Sequence, residues 1–142
     1  MLKRLVRNFQ IINGNIFAQL TGGILSAMAI RDVISTVTYA AAMDIDTSIA
    51  NAFLVVPTNG VAFTLNVPLR APGTGTSEQI SITIRNTTGG VLGAATFTAG
   101  AGGFRIGAAW TQPANGFSRT IFFRFDGTNW IEAGRTAADV AN

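Results

Sequence analysis

The sequence predicts an all-β protein, with an antiparallel, jelly-roll-like β-sandwich body behind an N-terminal arm. Three observations favour this fold class. Short segments alternate apolar and polar residues with the period of two that is typical of strands. Clusters of Gly, Pro and Asn separate these segments. Near the C-terminus, Asp126-Gly127 lies between apolar segments, which is a strong hairpin signal.

The hairpin over residues 118–132 is the clearest element. Its first strand places three apolar side chains on one face, namely Ile121, Phe123 and Phe125. The other face carries Thr120, Phe122 and Arg124. The large aromatic on this second face indicates that it is partly covered as well.

The other predicted strands precede this hairpin in the chain. Residues 79–86 alternate most regularly, with Ile80, Ile82 and Ile84 predicted to point inward. The short polar tail 135–142 is predicted to be irregular. The remaining strand segments are 33–39, 49–56, 61–67, 95–97 and 104–106.

The composition indicates a surface that other protein covers. Of the 142 residues, 48% are hydrophobic and only 12% are charged, whereas soluble domains carry about 25% charged residues. A membrane span would need about 20 uninterrupted apolar residues, and polar residues interrupt every apolar stretch here. An obligate oligomer, or a component of a larger assembly, is therefore favoured.

Cysteine and histidine are both absent. A disulfide framework, a catalytic triad with an imidazole base and the commonest zinc sites are excluded. We expect no cofactor and no metal.

Charge divides the chain into an arm, residues 1–31, and a β-sandwich body, residues 32–142. The arm has four basic residues and no acidic one, whereas the body has six arginines against seven acidic residues. At the start of the arm, apolar residues recur at helical spacing, and the basic residues lie on the opposite side. Basic charge this sparse does not indicate nucleic-acid binding. The candidate anchoring residues are Leu2, Lys3, Arg4, Leu5, Arg7 and Phe9.

A secretory signal is the alternative interpretation of the arm. It has a basic start, an apolar middle and a small-residue Ala27-Met28-Ala29. Polar breaks at Asn13-Gly14-Asn15 and Thr21-Gly22-Gly23 argue against it. Packing on a partner protein is favoured instead.

Few residues suggest catalysis or ligand binding. Asp44 and Asp46 could share a face as a glycosidase pair, but a solvated loop that enters a strand is favoured. They could also contribute to a calcium site, but they lack the ligand spacing of a regular calcium loop. The Gly-rich run 100–103 lacks the Lys and Ser/Thr of a phosphate loop. Trp110, Phe122 and Trp130 are candidates for a subunit interface or a glycan-stacking surface; packing in a core or interface is favoured.

Several segments carry a resemblance to a known family. They are Asn51-Ala52-Phe53, Asn59-Gly60-Val61, the segment 79–90, Trp110-Thr111 and the closing segment 121–130, which ends in Asp126-Gly127-Thr128-Asn129-Trp130. Together they resemble the β-rich modules of tailed-bacteriophage fibre, spike and capsid-decoration proteins. The resemblance covers roughly residues 45–142.

The resemblance implies a homotrimeric structural protein of the virion, on the capsid surface or the tail, without cofactor or catalysis. A capsid-decoration protein or short head fibre fits the length best. Its arm would bind the major capsid protein or another virion structural protein. The alternative is a tail-fibre module or a receptor- or carbohydrate-binding module, with a host-surface glycan as partner. No nucleic-acid partner is expected.

Overall fold

A computed structural model describes the backbone of residues 9–12 and 15–18 and all of residues 33–69 and 78–142. Contacts divide the chain into two compact units, Met1–Arg31 and Asp32–Asn142. The first unit contains an antiparallel pair, β1 (Phe9–Ile12) and β2 (Asn15–Ala18), with Ile12 opposite Asn15. Phe9, the last residue of the helical spacing at the start of the chain, therefore lies in a strand, where apolar and β-branched residues precede an Asn-Gly hairpin sequence. The other residues of that spacing lie outside the described residues.

The second unit is built from two β-sheets. Seven strands form the larger sheet in the order β3-β5-β7-β10-β11-β9, with β12 beside β10, and β4-β6-β8 form the smaller one. The prediction of an all-β, sandwich-like body is confirmed, and the described residues contain no helix. The strands are β3 (Ile34–Val37), β4 (Ala42–Met43), β5 (Ala52–Val55), β6 (Phe63–Leu65), β7 (Gln79–Arg85), β8 (Ala95–Phe97), β9 (Phe104–Arg105), β10 (Phe117–Phe125), β11 (Trp130–Arg135) and β12 (Val140–Ala141).

Strand direction differs from the antiparallel, jelly-roll-like arrangement that the sequence predicts. From β3 to β8 the chain alternates between the two sheets, and each of the first four of these strands pairs in parallel with the strand two elements later. The result is a parallel coil of three turns with two strands per turn. Only β7–β10, β10–β11 and β10–β12 are antiparallel in this unit.

The core fills the space between the inner faces of the two sheets. Ile80, Ile82 and Ile84 are buried, as predicted from their alternation. Ile121, Phe123 and Phe125 on β10 are buried as well. The second-sheet side of the core is formed by Met43, Phe63, Leu65 and Phe97.

The predicted hairpin connects β10 to β11 with Phe125 opposite Trp130. The Oδ1 atom of Asp126 accepts hydrogen bonds from the N–H groups of Thr128 and Asn129 at 2.8 and 2.7 Å. Gly127 has a φ of 101°, which favours glycine. The turn chemistry therefore accounts for both residues of the Asp-Gly signal.

The C-terminal tail contains a short strand, β12, whereas the sequence predicts an irregular conformation for it. Strand β12 pairs with β10, and the Asp139 carboxylate accepts a hydrogen bond from Arg119 Nε at 2.5 Å. Asn142 donates a side-chain hydrogen bond to the Asn86 carbonyl at 3.1 Å. These long-range bonds have no local sequence pattern, which is why the tail looked irregular.

Candidate interaction surface

The outer face of the seven-stranded sheet carries small, hydroxyl and isolated apolar side chains together with the exposed Arg124. Phe122 projects from its middle with 46% of its surface exposed, and Ile34 projects from its edge with 69% exposed. On the same face, Thr83 of β7 and Thr120 of β10 lie opposite each other and share a hydrogen bond of 2.8 Å. Strand register places Ile34, Ala52, Ser81, Phe122 and Gly134 in a single row across this face.

Apolar side chains are also exposed elsewhere on the second unit. Val91, at 87% exposed, precedes β8, and Val61 precedes β6 one turn earlier in the coil. These two valines lie in loops that stack on each other, since an added Cβ on Gly60 would lie 2.8 Å from the Val91 carbonyl oxygen. Exposed apolar side chains on a chain with only 12% charged residues favour burial of part of this surface against other protein.

The two tryptophans do not form a shared surface. Trp130 is fully buried, and its ring packs against Phe125 at 5.3 Å between centroids. The prediction that Trp130 stacks on a glycan or lies at a subunit interface is therefore wrong. Its position follows from register, because residues opposite each other in a hairpin share a face and Phe125 points inward.

Trp110 is partly buried, and Phe122 is the exposed member of the three candidate aromatics. The Trp110 ring contacts Phe97 edge-on at 5.7 Å, and its Nε1 donates to Gln112 Oε1 at 2.9 Å. Both contacts fix the indole against the core. Phe122 therefore remains the candidate for an interface or stacking role.

A groove of about 560 Å³ lies beside β11 and the segment after β9. Arg135 spans it, donating to the Glu132 carboxylate at 2.5 and 2.6 Å and to the carbonyls of Ala108 and Ala109 at 2.9 Å. Glu132 also accepts a hydrogen bond from the Gly107 N–H at 2.8 Å. These polar groups are engaged in holding the loop to β11, which indicates a structural role.

Electrostatics agrees with this structural role. The hydrogen bond from Arg135 is the main cause that lowers the pKa of Glu132, and the same bond raises the pKa of Arg135. The Glu132 side chain is only 14% exposed. It lies opposite the inward-facing Phe123, and the β-bulge of β11 comes after it, between Glu132 and Gly134.

The Asp44 and Asp46 carboxylates each have local partners. Asp44 accepts a hydrogen bond from Asn66 Nδ2 at 2.8 Å. Asp46 accepts from the Ser48 N–H and hydroxyl at 2.9 and 2.5 Å, an arrangement typical of an Asx-turn. Over residues 33–69 and 78–142, no group of three or more acidic, His or Cys residues could hold a metal ion.

Most of the predicted anchoring arm lies outside the described residues, including Leu2, Lys3, Arg4, Leu5 and Arg7. Phe9 is described as the first residue of β1. No helix within the described ranges is long and apolar enough to span a membrane.

The segment Val33–Met43 contains β3, which lies within the predicted strand 33–39, and β4, which was not predicted. Both are terminal strands, β3 in the larger sheet and β4 in the smaller. The segment contains no charged residue, no Pro and no Gly. That composition was the available signal for an edge suited to pairing with another strand.

Comparison with known proteins found no matching family model, no matching curated protein and no matching solved structure. Function is inferred below from the surface and composition of the chain itself.

Proposed function

We propose that this chain is a structural virion protein of a tailed bacteriophage, a trimeric capsid-decoration protein or short head fibre. The observation that carries the proposal is the set of apolar side chains exposed on the sparsely charged second unit. Ile34, Phe122 and Val91 are all substantially exposed in a chain with only 12% charged residues. Burial of such side chains against other subunits would stabilise an assembly by about 25 cal/mol per Å² of apolar area.

The distribution of charge supports attachment through residues 1–31. They contain four basic residues and no acidic one, so the segment suits an acidic surface on a shell protein. The second unit, from residue 32, has its own core. A separate attachment segment and projecting body is the organisation that the resemblance implies.

The proposal is tested by removing residues 1–31 and measuring co-sedimentation with virus particles that lack the protein. We expect the truncated chain to remain folded and trimeric but to stay in the supernatant. A full-length variant with Lys3→Glu, Arg4→Glu and Arg7→Glu should also bind weakly, which separates charge from length. Normal decoration by the truncated chain would contradict the anchoring role, and a stable full-length monomer would contradict the trimer.

Receptor or carbohydrate binding is a second candidate, favoured by the exposure of Phe122. Stacking of a sugar on this ring would place the ligand on the outer face of β10. Glycan-array binding that Phe122→Ser abolishes, while Phe117→Ser retains it, would support this function. Phe117 is the matched control because it is exposed on the same strand. Equal binding by both variants would contradict it.

A further inference from the structure

Strand β3 presents a free edge within the described part of the chain. It pairs in parallel with β5 on one side, and no described strand pairs with its other side. Val33 turns its backbone toward β5, since its carbonyl accepts from Ala52 N–H at 3.2 Å and its N–H donates to Asn51 Oδ1 at 3.1 Å. Because alternate residues of an edge strand face the neighbour, the backbone groups of Ile34 and Thr36 point away from the sheet.

Among the residues that the structure describes, none of the usual features that block strand addition is found at this edge. Natural edge strands are protected by charged residues, Pro, bulges or a covering segment. Residues 33–43 have no charge and no Pro, and β3 pairs with β5 without a register shift. Ile34 and Thr36 are exposed. A row of unpaired donors and acceptors between β-branched side chains is suited to pairing with another strand.

We propose that β3 pairs antiparallel with β3 of a second copy of this chain, about a two-fold axis at Thr36. Side chains opposite each other must share a face, so the paired residue numbers must have the same parity. Thr36 opposite its own copy satisfies this condition and places Ile34 opposite Thr38. The outward backbone groups of both strands then bond to each other, and no like charges meet.

The second sheet explains why the partner strand at the β3 edge belongs to a copy of the same chain. Strand β4 is the edge of that sheet at the same end of the coil, because β3 and β4 form the first turn. A two-fold axis perpendicular to the two stacked sheets acts on both edges at once. One partner copy therefore brings its β4 to β4, whereas a single extended peptide would cover only one edge.

This contact does not depend on the proposed function. The β3–β3 contact is isologous, which means that it joins two copies through the same surface. It therefore doubles the number of subunits: a chain that is otherwise a monomer becomes a dimer, and one that is otherwise a trimer becomes a hexamer. Thr36→Pro removes an outward N–H while leaving the bonds from β3 to β5 in place. Thr36→Val keeps the N–H and the β-branched shape, so it is the matched control.

The test measures the mass of the full-length chain by light scattering. We expect the wild type and Thr36→Val to have twice the mass of Thr36→Pro. Thr36→Lys places two like charges opposite each other and should also halve the mass. This variant gives a result even if Thr36→Pro does not fold. Equal masses for the wild type and a folded Thr36→Lys variant would overturn the proposal.

A cysteine substitution tests the register, because the chain has no cysteine of its own. Directly opposite residues in a hydrogen-bonded antiparallel pair lie about 5.5 Å apart between Cα atoms, within the range that a disulfide can bridge. Thr36→Cys should form a covalent dimer under mild oxidation. Thr58→Cys, exposed in a loop, should remain mainly monomeric on a denaturing gel. Failure of Thr36→Cys to cross-link would overturn the proposed register.

Discussion

Asn86 is a polar residue at the centre of the loop packing. Its side chain is fully buried, and all of its hydrogen-bonding capacity is used. Nδ2 donates to the carbonyls of Gly90 and Pro113 at 2.9 and 3.1 Å, and Oδ1 accepts from the Thr88 N–H and hydroxyl at 3.1 and 2.9 Å. One side chain thus connects the turn after β7 to the loop before β10.

Asn86→Ala is expected to lower the free energy of unfolding by about 3 kcal/mol, because it leaves buried backbone groups without partners. Asn115→Ala is the matched control in the same region. Asn115 is exposed and accepts one hydrogen bond, from the Gly89 N–H, so its loss should cost about 1 kcal/mol or less. Urea unfolding measures both, and equal losses would contradict the role of Asn86.

Glu132 is expected to make stability depend on pH. Its folded pKa is lowered, chiefly by the hydrogen bond from Arg135, below the ordinary value of 4.5. A lowered pKa stabilises the fold above that ordinary value, and the contribution is lost as the pH falls through the folded pKa. Glu132→Gln should therefore be less stable than the wild type at pH 7, with a difference that shrinks below pH 4.5. A pH-independent difference in urea midpoints would contradict this.

At the scale of elements, the coil depends on close backbone contact between its turns. A Cβ on Gly93 would lie 2.2 Å from the Ala62 nitrogen and 2.3 Å from the Val61 carbonyl carbon. Gly93 precedes β8, and the contacted residues precede β6. A larger side chain would push the third turn away from the second.

Gly93→Ala is expected to destabilise the protein by about 2–3 kcal/mol through this overpacking. Gly90→Ala in the same loop is the control, because a Cβ there would have open space around it. Thermal unfolding should show a lower midpoint for Gly93→Ala than for Gly90→Ala. Similar midpoints for the two variants would mean that the turns can separate without loss.

The β10–β11 hairpin also depends on a glycine, Gly127, but here the reason is backbone conformation and not close contact. Its φ of 101° is strained for a residue with a side chain, so Gly127→Ala should cost about 1–2 kcal/mol. Gly134→Ala, with no positive φ and open space at its Cβ, should be nearly neutral. Urea midpoints distinguish the two. Equal stability of both variants would show that the turn can adopt another conformation.

At the scale of the whole molecule, the C-terminal tail is bonded to the strands of the second unit. The C-terminal residues are joined to β7 and β10 through Asn142, Asp139 and β12. Deleting residues 137–142 should therefore lower the thermal midpoint by several degrees. Val140→Ala, which keeps the backbone pairing, is the control and should change the midpoint little. An unchanged midpoint after the deletion would contradict the structural role of the tail.

Much of the fold could be predicted because it depends on local patterns. The alternation in 79–86 predicts the buried isoleucines of β7, and Asp126-Gly127 predicts the turn between β10 and β11. Each signal arises within a few residues, from side chains that alternate across a strand or from a turn that requires glycine.

The coil could not be predicted, because its strands pair across unequal lengths of chain. Ala52 lies between Ile34 and Ser81 in the sheet, so successive turns differ in length and leave no repeat in the sequence. The pairing of Trp130 with Phe104 and the bonds from Glu132 and Arg135 to residues 107–109 also depend on segments that are distant in the sequence. A buried and an exposed tryptophan have the same local signature.

The residue pattern alone specifies the all-β class, the charge difference between residues 1–31 and the remainder, and the hairpin around Asp126-Gly127. Only the tertiary structure decided that the first six strands of the second unit coil in parallel, that Trp130 is buried and that β3 is an open edge. The physical reason is that composition and alternation act locally along the chain. Strand partners and free edges are set by which distant segments together bury the most apolar surface and satisfy the most backbone groups.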